Sequence, residues 1–239
     1  MRLDQLLVAR GLARTRSQAR EAILRGAVLV DGTPARRPGQ NVPDNANLAA
    51  EAEPFVGRGA HKLVHALDTF GLDPGGARAL DTGASTGGFT EVLLRRGAAS
   101  VIALDVGHGQ LAPEIAADPR VVAMDGVNAR TLRAEDLPYR PDFFTFDVSF
   151  ISLVLVLPAV LATAGAGGRM VALVKPQFEV GRAEIGKGGI VRDPDAALAA
   201  VARVEAVVAD AGFALRGRTP SPIAGGDGNR EWLIAAEAV

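Results

Sequence analysis

One stretch constrains the fold of this chain more than any other: a short apolar strand that ends in an acid and runs into a glycine-rich turn. Residues 78–80 read as the strand, Asp81 ends it, and Gly83, Gly87 and Gly88 follow within seven positions. Residues 88–94 then read as a helix. This order forms a ligand crevice at the carboxyl end of a parallel strand. Glycine allows a ligand to approach the backbone closely. Because Asp81 stands where the strand ends, its carboxylate is predicted to face that ligand.

Further apolar strands follow, and each ends in a charged residue. The predicted strands and their last charged residues are 100–106 with Asp105, 121–124 with Asp125, 143–148 with Asp147, and 170–174 with Lys175. Strands alternating with helices predict an α/β fold with a doubly wound, parallel sheet. The carboxyl ends of parallel strands gather at one edge, where ligands bind. We therefore expect these charged side chains and Asp81 to share that edge.

The ligand at this edge is predicted to carry an amine and a ribose, and no phosphate. Neither the P-loop pattern nor the G-x-G-x-x-G dinucleotide pattern is present. An acid at position 81 disfavours a pyrophosphate and favours an amine, and Asp105 at the next strand end suits ribose hydroxyls. S-adenosylmethionine has an ammonium group and a ribose without phosphate. The pattern resembles a class I methyltransferase, in which Asp125 would lie near the adenine.

Four charged residues complete a second half of the site. Lys62 stands at the start of a predicted helix, Asp147 and Lys175 end strands, and Glu231 follows the glycine loop 225–229. In chain order they read Lys-Asp-Lys-Glu. An ordinary surface charge would explain Lys62 alone, but not the set.

The first 40 residues are strongly basic and are predicted to meet a polyanion. They carry a net charge of +5 although the whole chain carries −1, so the remainder carries −6. Apolar spacing predicts one helix from about Leu3 and a second from Thr15, whose partner Gln18 completes a capping box. Asp31-Gly32 predicts a hairpin turn after a strand at 27–30. A solvated arginine face is the alternative interpretation.

Residues 2–4, 15–23 and 26–32 resemble the S4-like RNA-binding fold. The resemblance implies a small α+β domain over residues 1–56, a linker over 57–60 and a catalytic domain over 61–239. No aromatic residue precedes Phe55, so phosphate contact and shape recognition of folded RNA fit better than base stacking. The residues expected to contact RNA are Arg2, Arg14, Arg16, Arg20, Arg36 and Arg37, with Arg182 and Lys187 of the catalytic domain.

Residues 81–90, 105–111, 147–153, 174–181, 186–189 and 221–223 resemble the TlyA-type family. These are ribosomal RNA 2′-O-methyltransferases long labelled hemolysin-like and related to FtsJ-type enzymes. The resemblance implies a Rossmann-like class I fold with an antiparallel last strand, S-adenosylmethionine as cofactor, cytidine ribose as target and a tetrad of Lys62, Asp147, Lys175 and Glu231. The expected cofactor-binding residues are Asp81, Gly83, Ala84, Ser85, Gly87, Gly88, Phe89, Asp105, Val106, Asp125 and Asp147.

We expect Lys175 to act as the general base in its neutral form. Burial and a neighbouring Lys62 would lower its pKa, while Asp147 and Glu231 orient the reacting groups and oppose that lowering. The loop 177–189 either closes over RNA or is a mobile glycine segment.

Composition narrows the class of protein. The chain has no cysteine and three histidines, so no metal site is expected. It shows no signal peptide and no apolar run of membrane-spanning length, which favours a cytoplasmic protein without a membrane partner. The resemblance implies ribosomal RNA in ribosomal subunits as the partner, and we expect a monomer. Three alternatives remain open: an inactive RNA-binding assembly factor, a membrane-active hemolysin and a small-molecule methyltransferase.

Overall fold

The computed structural model describes residues 1–51, 53–225 and 228–239. It divides into two compact units, Met1–Gly57 and Arg58–Val239. Gly226 and Asp227, which belong to the predicted glycine loop before Glu231, lie outside the described residues.

The first unit begins with two helices, α1 (Leu3–Ala9) and α2 (Arg16–Arg25). Thr15 caps α2 by accepting the Gln18 N–H at 3.2 Å, and Gly26 ends it in the left-handed conformation. The predicted capping box is half formed, because the Gln18 side chain accepts from the Arg14 N–H instead of the Thr15 N–H.

A three-stranded antiparallel sheet completes the first unit. Its strands are β1 (Val28–Val30), β2 (Thr33–Pro34) and β3 (Leu48–Ala50), in the order β2-β1-β3. Asp31 and Gly32 both have positive φ (49° and 78°), as the predicted two-residue hairpin requires. The apolar faces of the helices and of β1 close one small core, formed by Leu3, Leu6, Leu7, Ala19, Ile23, Val28, Ala35, Val42 and Ala46.

The second unit is built on a seven-stranded sheet. Its strands are β4 (Arg78–Thr82), β5 (Ser100–Asp105), β6 (Val121–Asp125), β7 (Phe143–Phe146), β8 (Arg169–Val174), β9 (Phe213–Pro220) and β10 (Trp232–Ala238). Their order is β6-β5-β4-β7-β8-β10-β9, with β10 antiparallel to both of its neighbours and the strands from β6 to β8 parallel. The predicted doubly wound fold with an antiparallel last strand is confirmed. The strand order reverses between β4 and β7, which is where such sheets bind ligands.

Helices cover both faces of this sheet. They are α3 (Gly59–Phe70), α4 (Gly88–Arg95), α5 (Pro113–Ala116), α6 (Leu153–Leu161), α7 (Pro176–Glu179) and α8 (Pro194–Asp210). The largest core cluster joins β4, β5, β7, β8 and β10 to α6 and α8, with Phe144 and Phe146 fully buried in it. This packing makes the carboxyl edge of the sheet a rigid platform.

Two boundaries differ from the sequence-based predictions. Strand β4 continues through Asp81 to Thr82, because both residues still pair with β5 and only Gly83 breaks the strand. Helix α3 begins at Gly59, inside the range 57–60 predicted as a linker. Within the described ranges, no helix combines the length and apolarity needed to cross a bilayer.

Candidate active site

The glycine turn after β4 brings two strand ends together. A β-carbon on Gly83, whose φ is +86°, would stand 2.7 Å from the Asp147 carbonyl oxygen, closer than real β-carbon contacts. The Asp147 N–H in turn donates to the Thr82 carbonyl at 3.0 Å. Glycine at position 83 is thus required by the loop after β7. The sequence had suggested only the approach of a ligand as the reason for this glycine.

Asp81, which the sequence predicted to face the ligand, does not line the cavity that opens at this edge. Its side chain is fully buried and accepts from the hydroxyls of Thr90 at 2.7 Å and Thr145 at 2.8 Å. Side chains of a strand alternate between faces: Thr82 lines the cavity, and its neighbour Asp81 faces α4 instead. Burial raises the pKa of Asp81 to about 6, and the charge of Asp147 acts in the same direction against the two hydrogen bonds.

Asp105 stands at the end of β5 with its carboxylate held by backbone donors. Its Oδ2 accepts from the Ser85 N–H and its Oδ1 from the Gly107 N–H, both at 2.8 Å. Oδ1 also accepts from the Gln110 side-chain amide at 3.4 Å, so Oδ2 is the oxygen that keeps a second lone pair for a ligand hydroxyl. Asp125 instead is exposed and accepts the Gly109 N–H at 2.7 Å.

A cavity of ≈ 650 Å³ opens at this edge. Five of the predicted cofactor-binding residues line it: Gly83, Ser85, Asp105, Val106 and Asp147. The other six do not: Asp81, Ala84, Gly87, Gly88, Phe89 and Asp125. Ala84 and Phe89 are buried in the protein interior, whereas Asp125 is exposed outside the cavity.

The cavity is also lined by residues that were not predicted to bind the cofactor. It comprises Thr82, Leu104, Gln110, 127–130, 148–151 and Val156. The residues after Asp147 could have been found, since they follow a predicted strand end directly. Residues 127–130 carried no such signal, because the prediction stopped at Asp125.

The four tetrad residues form two ion pairs. Lys62, from the buried face of α3, pairs with Glu231, and both are nearly inaccessible to solvent. Lys175 Nζ lies 2.7 Å from Asp147 Oδ1 and donates to Ser149 Oγ at 2.7 Å. Each lysine thus has a carboxylate of its own. Ser149, which also lines the cavity, is a site residue that the sequence-based analysis missed.

The turn at residues 149–153, which we call the rim turn, exposes an aromatic ring. Phe150 is 92% exposed and has a φ of +64°, a conformation that bulky residues seldom adopt. On its inner side the ring packs on Phe178, with 5.2 Å between centroids. A large apolar side chain presented in this way, beside Ser149, indicates a contact surface for a planar ligand.

Glu231 is approached by two loops. A β-carbon on Gly225 would lie 2.6 Å from Glu231 Oε1. Asn229 is buried and accepts the Val191 N–H at 3.0 Å while its amide donates to the Gly189 carbonyl at 2.9 Å. The glycine segment before residue 190 is therefore tied to the approach of β10. Arg182 and Lys187, which belong to the loop 177–189, are exposed.

The basic residues of the first unit divide into two groups. Arg2 and Arg16 both bind the buried carboxylate of Asp4, with N–O distances of 3.0 and 2.9 Å. The hydrogen bond from Arg2 lowers the pKa of Asp4 to about 2; Arg16 adds to this effect, and burial opposes it. Arg14, Arg20, Arg36 and Arg37 are exposed. Part of the predicted RNA-binding charge thus also stabilises the fold.

Comparisons with known proteins agree with this architecture. Residues 55–238 match the family described as FtsJ-like methyltransferase, and residues 1–48 match the S4 domain. The chain is 48% identical over 236 residues to the 16S/23S rRNA (cytidine-2′-O)-methyltransferase TlyA of Mycobacterium tuberculosis, covering 98% of this chain and 88% of that protein. It is 34% identical over 191 residues to the 23S rRNA (cytidine-2′-O)-methyltransferase TlyA of Campylobacter jejuni, covering 80% and 74%.

A solved structure matches the whole chain. It is a protein of Streptococcus thermophilus named as a candidate hemolysin, with a TM-score of 0.80, 41% identity and coverage of 100% of this chain and 88% of that one.

Proposed function

The chain belongs to the FtsJ-like methyltransferase family and carries an S4 domain, and from this premise we propose that it transfers a methyl group from S-adenosylmethionine to the 2′-hydroxyl of cytidine in ribosomal RNA. The observation that carries the proposal is the Lys175–Asp147 pair, because Asp147 also lines a cavity of nucleoside size. Small-molecule sites usually occupy roughly 300–1,000 Å³. A cytoplasmic location follows from a ribosomal substrate.

The cavity lining fits S-adenosylmethionine. The Asp105 carboxylate, oriented by Ser85, Gly107 and the Gln110 amide, can accept a hydrogen bond from a ribose hydroxyl on Oδ2. Val106, Val127 and Ile151 offer apolar surface to an adenine ring. Asp125 has no part in this pocket, so we assign its neighbours Val127 and Asn128 to the adenine end. When bound, S-adenosylmethionine supplies an electrophilic sulfonium methyl group.

Lys175 is the residue that we assign as the general base. A ribose hydroxyl is a weak nucleophile near neutral pH and must lose its proton as it attacks. Neutral Lys175 would take that proton on Nζ, and Asp147, at 2.7 Å, would stabilise the ammonium that forms. Ser149 accepts a hydrogen bond from the same Nζ and so restricts its direction. Methyl transfer needs an in-line approach, for which such positioning does much of the work.

Three further groups would act on the acceptor RNA. The buried Lys62–Glu231 pair places fixed charges near the reacting hydroxyl, where low solvent access makes them effective. Phe150 offers its exposed ring to the acceptor base, since RNA-binding proteins recognise unstacked bases by aromatic stacking. The exposed arginines of the S4 domain and Arg182 and Lys187 would contact phosphates.

The experiment uses purified protein, labelled S-adenosylmethionine and isolated ribosomal subunits, with mass-spectrometric mapping of 2′-O-methyl groups. Lys175→Ala should reduce transfer at least 100-fold. Lys175→Arg should fail equally, because arginine keeps the charge but does not release its proton near neutral pH. Calorimetry should show that both variants still bind S-adenosylmethionine. Normal transfer by Lys175→Arg would contradict the assignment of the base.

An inactive RNA-binding assembly factor is the alternative from another class. This alternative predicts that the unaltered protein binds ribosomal subunits but neither binds S-adenosylmethionine nor methylates RNA. The presence of all four tetrad residues in two ion pairs supports the enzyme.

A further inference from the structure

Helix α7 contacts the rim turn at three places. Lys175, which precedes α7, donates to Ser149 Oγ at 2.7 Å. Phe178 packs on the Phe150 ring. Glu179, the last residue of α7, reaches the far end of the turn. The turn is therefore held at its beginning, its middle and its end by one short segment.

The third of these contacts is made by the carboxylate of Glu179. Its Oε2 accepts from Ser152 Oγ at 2.6 Å and its Oε1 from the Leu153 N–H at 2.7 Å. Ser152 is the N-cap of α6 and Leu153 its first residue, so Glu179 satisfies a donor that the helix itself leaves without a partner. Arg203 of α8 donates to the Glu179 carbonyl at 2.8 Å and fixes α7 from the other side.

The rim turn needs such an anchor. The positive φ of Phe150 is sparsely populated for a bulky residue and persists only where the surroundings hold it. Because the Phe150 ring is almost fully exposed, protein contacts on its solvent side cannot supply that support. The contacts from Phe178 and Glu179 lie on the inner side of the turn.

We propose that Glu179 is a positioning residue for methyl transfer, which holds Ser152 and Leu153 so that Phe150 is presented to the acceptor base. This inference rests on the proposed function, because it assigns a purpose to the rim turn in that reaction. Glu179 itself is not among the residues that line the cavity.

The first test compares three variants. Glu179→Ala should lower kcat/KM for ribosomal subunits at least tenfold. Glu179→Gln should retain most of it, since its carbonyl can accept from Leu153 and its amide can donate to Ser152 Oγ. Asp193→Ala is the matched control: it removes the side chain that caps α8 by accepting the Asp195 N–H at 2.9 Å, and it should leave kcat/KM unchanged. Equal rates for Glu179→Ala and the unaltered protein would overturn the inference.

A double-mutant cycle separates positioning from simple loss of stability. If Glu179 acts through Phe150, then Glu179→Ala should cost less than threefold when Phe150 is already alanine. The full tenfold loss in that background would overturn the inference.

Hydrogen exchange tests the anchor without relying on activity. The peptide that contains the Leu153 amide should exchange faster in Glu179→Ala and at the normal rate in Asp193→Ala. Unchanged exchange in Glu179→Ala would overturn the inference. Absence of transfer by the unaltered protein would instead overturn the proposed function, whereas normal transfer with no effect of Glu179→Ala would overturn the inference alone.

Discussion

At the scale of single residues, Asp81 is unusual because it is a buried carboxylate whose described contacts are neutral. Its two hydroxyl partners, Thr90 and Thr145, belong to α4 and β7. It therefore ties together the three elements that surround the glycine turn. We infer that Asp81 supports the cofactor site from beneath, although the sequence pattern suggested direct contact.

Replacing Asp81 by asparagine should raise stability at high pH. The folded pKa of about 6 lies above the ordinary 3.8, so the ionised form costs on the order of 3 kcal/mol once the pH exceeds 6. This cost disappears as the pH falls from 6 towards 4, because the folded state then binds the proton more tightly. Urea unfolding should show a larger gain for Asp81→Asn at pH 8 than at pH 4.5. An equal gain at both would contradict the assignment.

Mutations should distinguish the arginines of the S4 domain that only bind RNA from those that also stabilise the fold. Arg36→Ala and Arg37→Ala should weaken RNA binding and lower the slope of log affinity against log salt by about 0.7–0.9 each, without affecting stability. Arg16→Ala should weaken binding and also destabilise the domain, because it removes a partner of buried Asp4. Salt-dependent binding and chemical denaturation measure the two effects.

A fall in pH should weaken the contact of Asp4 with Arg2 and Arg16 and so lower the stability of the S4 domain. The folded pKa of Asp4, about 2, lies below the ordinary value of 3.8. The stabilisation by Arg2 and Arg16 is therefore present above pH 3.8 and is lost as the pH falls towards 2.

At the scale of elements, the site forms where loops from non-adjacent segments meet. Gly83 admits the backbone of the β7 loop, and Gly225 admits the end of the Glu231 side chain. These two contacts differ in kind. Gly83 has a positive φ and meets backbone, so a larger residue there must distort the fold, whereas Gly225 meets the end of one side chain.

Gly225→Ala should therefore reduce activity without unfolding the protein. The new methyl group would displace Glu231 from Lys62, and we expect at least a tenfold loss of methyl transfer with stability changed by less than about 1 kcal/mol. Gly181→Ala is the matched control, since a β-carbon there meets nothing within 4 Å and the backbone conformation is ordinary. Normal transfer by Gly225→Ala would show that the Lys62–Glu231 contact is dispensable.

At the scale of the whole molecule, two units carry opposite charge. Met1–Gly57 carries eight arginines against six acidic residues, a net charge of +2, and Arg58–Val239, which contains the cavity, carries −3. Binding to RNA and binding to the methyl donor are therefore predicted to be separable properties of the chain.

A fragment of residues 58–239 should retain affinity for S-adenosylmethionine and lose most of its affinity for ribosomal subunits. Its seven-stranded sheet and main core cluster are complete without the first unit. Calorimetry with the cofactor and sedimentation with ribosomal subunits measure the two affinities. A fragment that binds subunits as tightly as the full chain would contradict the role assigned to the S4 domain.

The sequence by itself determined the fold and the chemistry of the site. Short apolar strands and their charged last residues, alternating with helices, predicted the parallel sheet and its ligand-binding edge, because strand ends are local features of the chain. The motifs that resemble TlyA-type proteins predicted the family, and the comparisons confirm it. The type and approximate position of each predicted strand were also local and proved correct.

Only the tertiary structure decided which of the predicted residues meet. In β4 it is Thr82 that lines the cavity, so Asp81 points to the opposite face, since neighbouring side chains on a strand alternate. The pairing of Lys62 with Glu231, and of Lys175 with Asp147 and Ser149, joins residues as many as 169 positions apart. Such contacts depend on how helices pack against the sheet, and a local pattern of residues does not specify which distant side chains that packing brings together. The same reason hid the rim turn and its anchor, Glu179, until the fold placed α7 beside it.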